Sequence, residues 1–326
     1  MNNPLSDFDR NVQNLQARID ALRSATGTTD EPDESKAVSD ALEQLATRTT
    51  QLQNRRYANL TTWERVQVAR HPERPHTLDY IDLILSDWIE LHGDRRFADD
   101  PAMVCGLARL GERSVAVVGQ QKGRDTKKRI MRNYGMPHPE GYRKALRIME
   151  LAGRFGLPIL AFVDTPGAFP GIASEERGIA EAIAVNLREM SVLAVPILAI
   201  VIGEGGSGGA LGIGVADRLL MLENAWYCVI SPEGCASILW RTPEMAPAAA
   251  EALKLTAPQL EELGLVDEII PEPVAGAHTD WKSTAAALGA RIEAHLDELS
   301  SLLSNELIQR RIERFNRIGE WREGSH

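Results

Sequence analysis

No stretch of the chain joins the length and apolarity of a bilayer span. The apolar run at 192–202 contains Pro196 and falls well short of the roughly 20 residues a spanning helix needs. The opening MNNPLSDFDRNVQNLQ has neither the basic start and apolar stretch of a secretory signal nor the Arg-rich, acid-poor texture of a transit peptide, so a cytoplasmic protein is expected. Cysteine is scarce: Cys105, Cys228 and Cys235 form no C-x-x-C pair and have no histidine at ligand spacing. That pattern argues against a disulfide scaffold and against a metal site on this chain, and it makes the three thiols small buried apolar groups. Positive charge is in deficit. With 36 Lys and Arg against 46 Asp and Glu, a net charge of -10 argues against broad, non-specific binding to nucleic acid or to anionic membranes, and no specific nucleic-acid partner is expected. Also missing is a G-x-x-x-x-G-K-[ST] element upstream of Asp164-Thr165-Pro166-Gly167, so this D-x-x-G match has no phosphate-binding loop beside it.

What is present reads as α/β with helical extensions. Phe8, Val12, Leu15, Ile19 and Leu22 recur at helical spacing, and Val38, Leu42, Leu45 and Leu52 continue the stripe beyond TGTTDEPDES, which predicts a helical hairpin. Thr61 and Glu64 predict a capping box for a helix to about Ala69, and a further helix is expected from Thr77 to about Trp88. AMVCGLARL and RSVAVVGQQ, parted by Gly111-Glu112, read as a β-hairpin. A basic loop at 122–132 precedes a helix expected from Pro139 to Gly156, with Tyr142, Leu146, Met149 and Ala152 or Gly153 on its apolar face. PILAFVD and PILAIVI start 38 residues apart, each a buried strand followed by a Gly-rich loop and a helix, the first helix expected at 175–193. RLLML and YCVIS continue the strands before a helix at PEGCASILW. Repeated strand-strand-helix units favour a spiral over strict one-to-one alternation. PEPVAGAHTD marks a hinge before one long helix at 284–321, striped by Leu288, Ile292, Leu296, Leu299, Leu303, Leu307, Ile312 and Phe315. The expected division is 1–75, a helical region; 76–275, the core; and 276–326, a helical extension.

GEGGSGGALGIG at 203–214 poses the chemical question. Residues 205–209 fit the G-x-S-x-G of a nucleophile elbow, and Asp217, Asp267 and His278 follow in an order that leaves a triad open. The other reading is a backbone site: glycines directly after a strand open a helix whose first N–H groups lack acceptors and carry the positive end of its dipole, suited to a developing oxyanion. The segment KGRDTKKRIMR holds six cations and one acid, a local +5 that reads either as a solvated face or as a phosphate-capturing loop.

GRDTKKRIMRNYGMPHPEGYRKALRIMELA, DTPGAFPGIASEERG, GEGGSGGALGIG and ISPEGCASILW together resemble the α subunits of bacterial acetyl-coenzyme A carboxylase carboxyltransferase, and the resemblance runs the whole chain, RPHTLDY included. It implies a crotonase-like (ClpP/crotonase) spiral with an N-terminal helical hairpin and a long C-terminal helix. It implies a biotin-dependent carboxyltransferase, active only with a β subunit, that moves a carboxyl group from carboxybiotin on the biotin carboxyl carrier protein to acetyl-CoA. The product is malonyl-CoA for fatty acid biosynthesis. Implied partners are a zinc-finger-bearing β subunit in an α2β2 heterotetramer, the carrier protein and biotin carboxylase, with no metal on this chain. Carried over by resemblance are the backbone amides of Gly208 and Gly209 as the oxyanion hole, Gly205 and Gly206 as the turn that shapes it, and Lys122, Gly123 and Arg124 as pocket border. Two alternatives remain: another crotonase-fold acyl-CoA enzyme such as a hydratase, which needs a carboxylate pair from Glu175, Glu176 and Glu204, and a non-catalytic scaffold subunit.

Overall fold

The computed structural model describes residues 4–26 and 32–319, and the chain divides into two compact units, Met1–Glu64 and Arg65–His326. The first holds helices Pro4–Thr26 and Pro32–Tyr57. Ile19 and Leu42 of the stripe are buried, whereas Leu22, Val38, Leu45 and Leu52 stand exposed; the Tyr57 hydroxyl donates to both Asp9 oxygens at 2.8 Å. The capping box forms as expected: Glu64 N–H donates to Thr61 Oγ1 at 3.2 Å and Thr61 N–H to Glu64 Oε2 at 2.9 Å, opening the helix Thr62–Ala69.

The second unit is built on one eight-stranded sheet: β1 (Ser86–Glu90), β2 (Met103–Leu110), β3 (Arg113–Gln120), β4 (Ile159–Thr165), β5 (Ile197–Gly206), β6 (Arg218–Leu222), β7 (Trp226–Cys228) and β8 (Glu268–Ile270). The order is β1-β2-β3-β4-β5-β6-β8, with β7 paired to the far end of β5. β1, β2 and β3 are antiparallel neighbours, and every pairing from β3 onward is parallel. β4 and β5 are buried at every residue, which explains why both PILA runs read as unbroken apolar segments: helices cover both faces of a parallel sheet.

Four expectations need correction. The helix from Thr77 stops at Ile84, and Trp88 lies in β1, an edge strand too short and too exposed to show alternation. The loop 122–132 contains a short helix, Thr126–Met131, capped by the Asp125 carboxylate, which takes Lys128 N–H at 2.7 Å. The helix expected at 175–193 is two, Ile172–Glu176 and Ile179–Val192, broken at Gly178 with φ +77°. The long C-terminal helix is also two, Trp281–Ser300 and Ser304–Asn316; Leu303 caps the second in an extended conformation and is 72% exposed, so it leaves the buried stripe. Trp321 lies outside the described residues. The helix Pro139–Phe155 ends at Gly156 in the left-handed conformation, as expected.

The C-terminal helix docks through Arg311. Its fully buried guanidinium donates to both Asp217 oxygens at 2.8 Å and to the carbonyls of Met190, Leu193 and Val195. Five acceptors satisfy the fork, the condition for burying a charge.

Candidate active site

The site forms where β3, β4 and β5 end together, the carboxyl edge at which parallel α/β sheets bind ligands. β5 runs through Glu204, Gly205 and Gly206 before the helix Ser207–Leu211 begins, so the glycines extend the strand rather than merely follow it. Close backbone contact explains them. A Cβ at Gly206 would lie 2.2 Å from the Pro166 carbonyl oxygen, and one at Gly209 would lie 2.3 Å from the Gly167 carbonyl carbon, so DTPGAF presses directly on the glycine turn. Gly205 is closed off by the Tyr227 ring, at 2.5 Å from an added Cβ. Gly208 differs: it is half-buried, and an added Cβ would meet only Ile183 Cδ1 at 3.7 Å. Among the described residues no side chain caps this helix, so its first amides have neither an intrahelical acceptor nor a side-chain one there.

Ser207 is exposed and adopts φ +59°, a left-handed conformation that a nucleophile elbow also favours. The three candidates for the rest of a triad do not reach Ser207. Asp217 is bound by Arg311, Asp267 accepts Arg314 and Leu219 N–H, and His278 stacks on His71 at a 3.7 Å ring separation; none is hydrogen-bonded to Ser207.

Beside the glycine turn a cavity of about 270 Å³ is lined by Arg70, His76, Lys122, Gly123, Asp164 and Glu204, with Arg129 and Tyr134 at its border. Lys122 Nζ donates to Asp164 Oδ1 and Glu204 Oε2, each at 2.7 Å. Glu204 Oε1 also accepts Arg70 Nε at 2.6 Å, and Arg70 continues to Glu233 in the first turn of the helix Pro232–Trp240. Burial pushes the Glu204 carboxyl up, but Lys122 and Arg70 outweigh it and bring the pKa down to about 2. Burial likewise lowers the Lys122 pKa, and its two carboxylates more than reverse that. His76 lacks a partner at Nδ1, and burial holds its pKa down to about 4.

The residues named from sequence therefore separate. Gly205, Gly206, Gly208 and Gly209 form one turn, and Lys122 and Gly123 line the neighbouring cavity. Arg124 is committed elsewhere, paired with Asp79 at 2.5 Å and placed over the Trp281 ring at 4.6 Å. Its cation and that of Lys122 are neutralised internally, whereas Lys127, Lys128 and Arg129 are exposed. Sequence reading missed Gln120, Asp164 and Tyr142 as neighbours of the turn: β3, β4 and the helix Pro139–Phe155 bring them there, and nothing in their local sequence marks it. Of the three candidates for the carboxylate pair a hydratase needs, Glu175 and Glu176 are exposed on the helix Ile172–Glu176, and Glu204 is held by two cations.

The mostly parallel sheet with a glycine turn at the carboxyl end of β5 is a crotonase-like architecture, and the comparison with solved structures shows the fold alone. Two solved structures share the fold: a Pseudomonas malonate decarboxylase hetero-tetramer in complex with coenzyme A (TM-score 0.55, 19% identity, 68% of this chain and 88% of that chain) and a transcarboxylase 12S (TM-score 0.53, 23% identity, 68% and 43%). The family follows from sequence: residues 5–319 match the model of the acetyl co-enzyme A carboxylase carboxyltransferase-like family, and the chain belongs to it. It is 53% identical over 309 residues to the acetyl-coenzyme A carboxylase carboxyl transferase subunit alpha of Syntrophotalea carbinolica, covering 94% of this chain and 96% of that one. It is 54% identical over 317 residues to the same subunit of Cupriavidus necator, covering 97% of each.

Proposed function

We propose that the amides of Gly208 and Gly209 form the oxyanion hole of a biotin-dependent carboxyltransferase, with Gly205 and Gly206 shaping the turn and Lys122 and Gly123 bordering the pocket, Arg124 being paired with Asp79 outside its lining. The chain acts as the alpha subunit of acetyl-CoA carboxylase carboxyltransferase, making malonyl-CoA from acetyl-CoA, and the near full-length identity to that subunit carries this reading. The glycine turn fits such a role through its uncapped amides and the open side of Gly208. Carboxybiotin, when bound, supplies the carboxyl group. The two amides would hold its ureido oxygen without reorganisation, since Pro166 and Gly167 brace the turn from behind. Lys122, tied to Asp164 and Glu204, keeps the strand ends together at the pocket wall. No side-chain base is invoked, and the two exposed glutamates are not paired across the pocket, which disfavours the hydratase reading.

The same proposal covers assembly. A zinc-bearing β subunit in an α2β2 heterotetramer supplies the second oxyanion site, the biotin carboxyl carrier protein delivers the cofactor loaded by biotin carboxylase, and the complex works in the cytoplasm. Among the described residues no helix is long and apolar enough to cross a membrane. The division into 1–75, 76–275 and 276–326 belongs to this proposal as well. Its test is the exchange of carboxyl between malonyl-CoA and biocytin, measured with the chain alone and with a β subunit. Activity only in the mixture is expected. Full turnover by the chain alone would contradict the shared site, and no turnover in the mixture would favour a scaffold.

A further inference from the structure

The carbonyl of Gly209 is bonded in an unusual way. In a regular helix it would accept the N–H of Ile213, four residues on. Here Ile213 N–H turns instead to Ala210 O at 3.3 Å, because the helix Ser207–Leu211 tightens and ends. Two buried side chains from other elements take its place: Gln120 Nε2 at the end of β3 donates at 3.1 Å, and Tyr142 Oη on the helix Pro139–Phe155 donates at 3.1 Å. Both residues are fully buried. Gln120 is held in turn, because its Oε1 accepts Asp164 N–H at 3.0 Å and its own backbone carbonyl takes the Thr77 hydroxyl at 2.5 Å. Tyr142 is fixed by packing: a Cβ at Gly212 would lie 2.7 Å from its ring, and Asn186 Nδ2 ties the carbonyls of Tyr142 and Gly212 together at 3.1 and 2.9 Å.

Resting on the proposed oxyanion site, we propose that Gln120 and Tyr142 are positioning residues for carboxyl transfer, a two-donor clamp on Gly209 O that fixes the rotation of the first turn carrying the Gly208 and Gly209 amides. The physical reason is the length of the turn. A helix of five residues has too few internal bonds to hold its own orientation, so the aim of its first amides is set by whatever grips its carbonyls. Preorganised donors lose their effect when they can swing, and neither clamping group touches the reacting atoms.

The test uses Tyr142→Phe, Gln120→Met and the double variant in the complex with a β subunit, assayed with malonyl-CoA and biocytin. Tyr142→Phe removes one hydrogen bond of ordinary strength, and Gln120→Met removes the bond to Gly209 O together with the one from Asp164 N–H. The kcat should therefore fall about 3- to 10-fold in Tyr142→Phe and at least as far in Gln120→Met, with KM for both substrates unchanged, and the double variant should fall further. Hydrogen-deuterium exchange supplies a reading independent of turnover: the peptide spanning 203–214 should exchange faster in the variants while the strands retain wild-type protection. Tyr142→Phe, which keeps the ring, serves where the double variant fails to fold. A folded variant whose kcat stays within twofold of wild type, or whose kcat falls with exchange of 203–214 unchanged, overturns the clamp. Gly208→Val separates this failure from that of the underlying reading. An inactive Gly208→Val with fully active clamp variants sinks the clamp alone, whereas an active, folded Gly208→Val sinks the oxyanion site itself.

Discussion

Lys122 Nζ lies 2.7 Å from Glu204 Oε2, joining the segment that follows β3 to the residue of β5 that immediately precedes the glycine turn. With Asp164 at the same distance on its other side, this ammonium ties three neighbouring strand ends at the rim of the site. A motif that looks in sequence like part of a phosphate-binding basic run spends its first cation on internal charge. Lys122→Met would leave two nearly buried carboxylates facing each other with only Arg70 to balance Glu204. Breaking a buried pair on one side costs about 3–5 kcal/mol, so a clearly lower urea midpoint is expected, and an unchanged midpoint would contradict the network.

The glycine turn and its serine rank in opposite orders under the two chemical readings. For an amide site, Ser207→Ala keeps activity within about tenfold, while Gly209→Val keeps its N–H but displaces the turn that aims it and abolishes activity, since a preorganised donor that no longer reaches the oxyanion costs on the order of 3 kcal/mol. Gly209→Val also drives a side chain into Gly167 and Ala168, so its loss combines packing with chemistry. Labelling of Ser207 by a fluorophosphonate, or an inactive Ser207→Ala, would restore the nucleophile.

The exposed part of the basic segment is a separate matter. Lys127, Lys128 and Arg129 stand in solvent on or beside the short helix Thr126–Met131, and Arg129 borders the cavity. Neutralising all three should raise the apparent KM for acetyl-CoA or for the carrier and flatten its salt dependence, with the melting temperature held. Unchanged KM for both returns the segment to a solvated face.

Acid stability follows from two histidines. Burial holds His76 and His278 neutral, each with its pKa lowered to about 4. A group with a folded pKa below its unfolded value of about 6.5 stabilises fully above that value and loses its contribution as pH falls toward the folded pKa. Stability should therefore decline between about pH 6.5 and 4, and His76→Gln should reduce the slope of that decline in a pH series of urea midpoints. Glu204, with its pKa at about 2, gives up its share only in stronger acid.

Arg311 gives the sharpest stability test away from the site. Arg311→Ala removes five hydrogen bonds and leaves Asp217 and three carbonyls without this partner, so a loss of about 3–5 kcal/mol is expected in denaturant unfolding. A shift under 1 kcal/mol would mean that the C-terminal helix docks through its apolar stripe alone.

Much of the core was legible in order along the chain. The hairpin of β2 and β3, the two PILA strands and the helix Pro139–Phe155 are specified by local signals: apolar runs, the Gly111 turn, a Pro start and a Gly156 stop. The glycine turn was visible too, because only residues without a Cβ tolerate Pro166 and Gly167 pressed against them. The breaks at Gly178 and Leu303 were less legible, since an apolar stripe continues in register across a short kink and periodicity does not see it.

By itself the sequence determined the elements, their periodicities and the residues whose backbone must be bare. Tertiary structure decided which of these meet. Gln120 and Tyr142 converge on Gly209 only because the strands close side by side and the helix Pro139–Phe155 packs on the sheet, and Lys122 turns inward only because Asp164 and Glu204 end on adjacent strands. Side-chain partnership across 42 to 89 residues depends on strand register and burial, which no local pattern encodes.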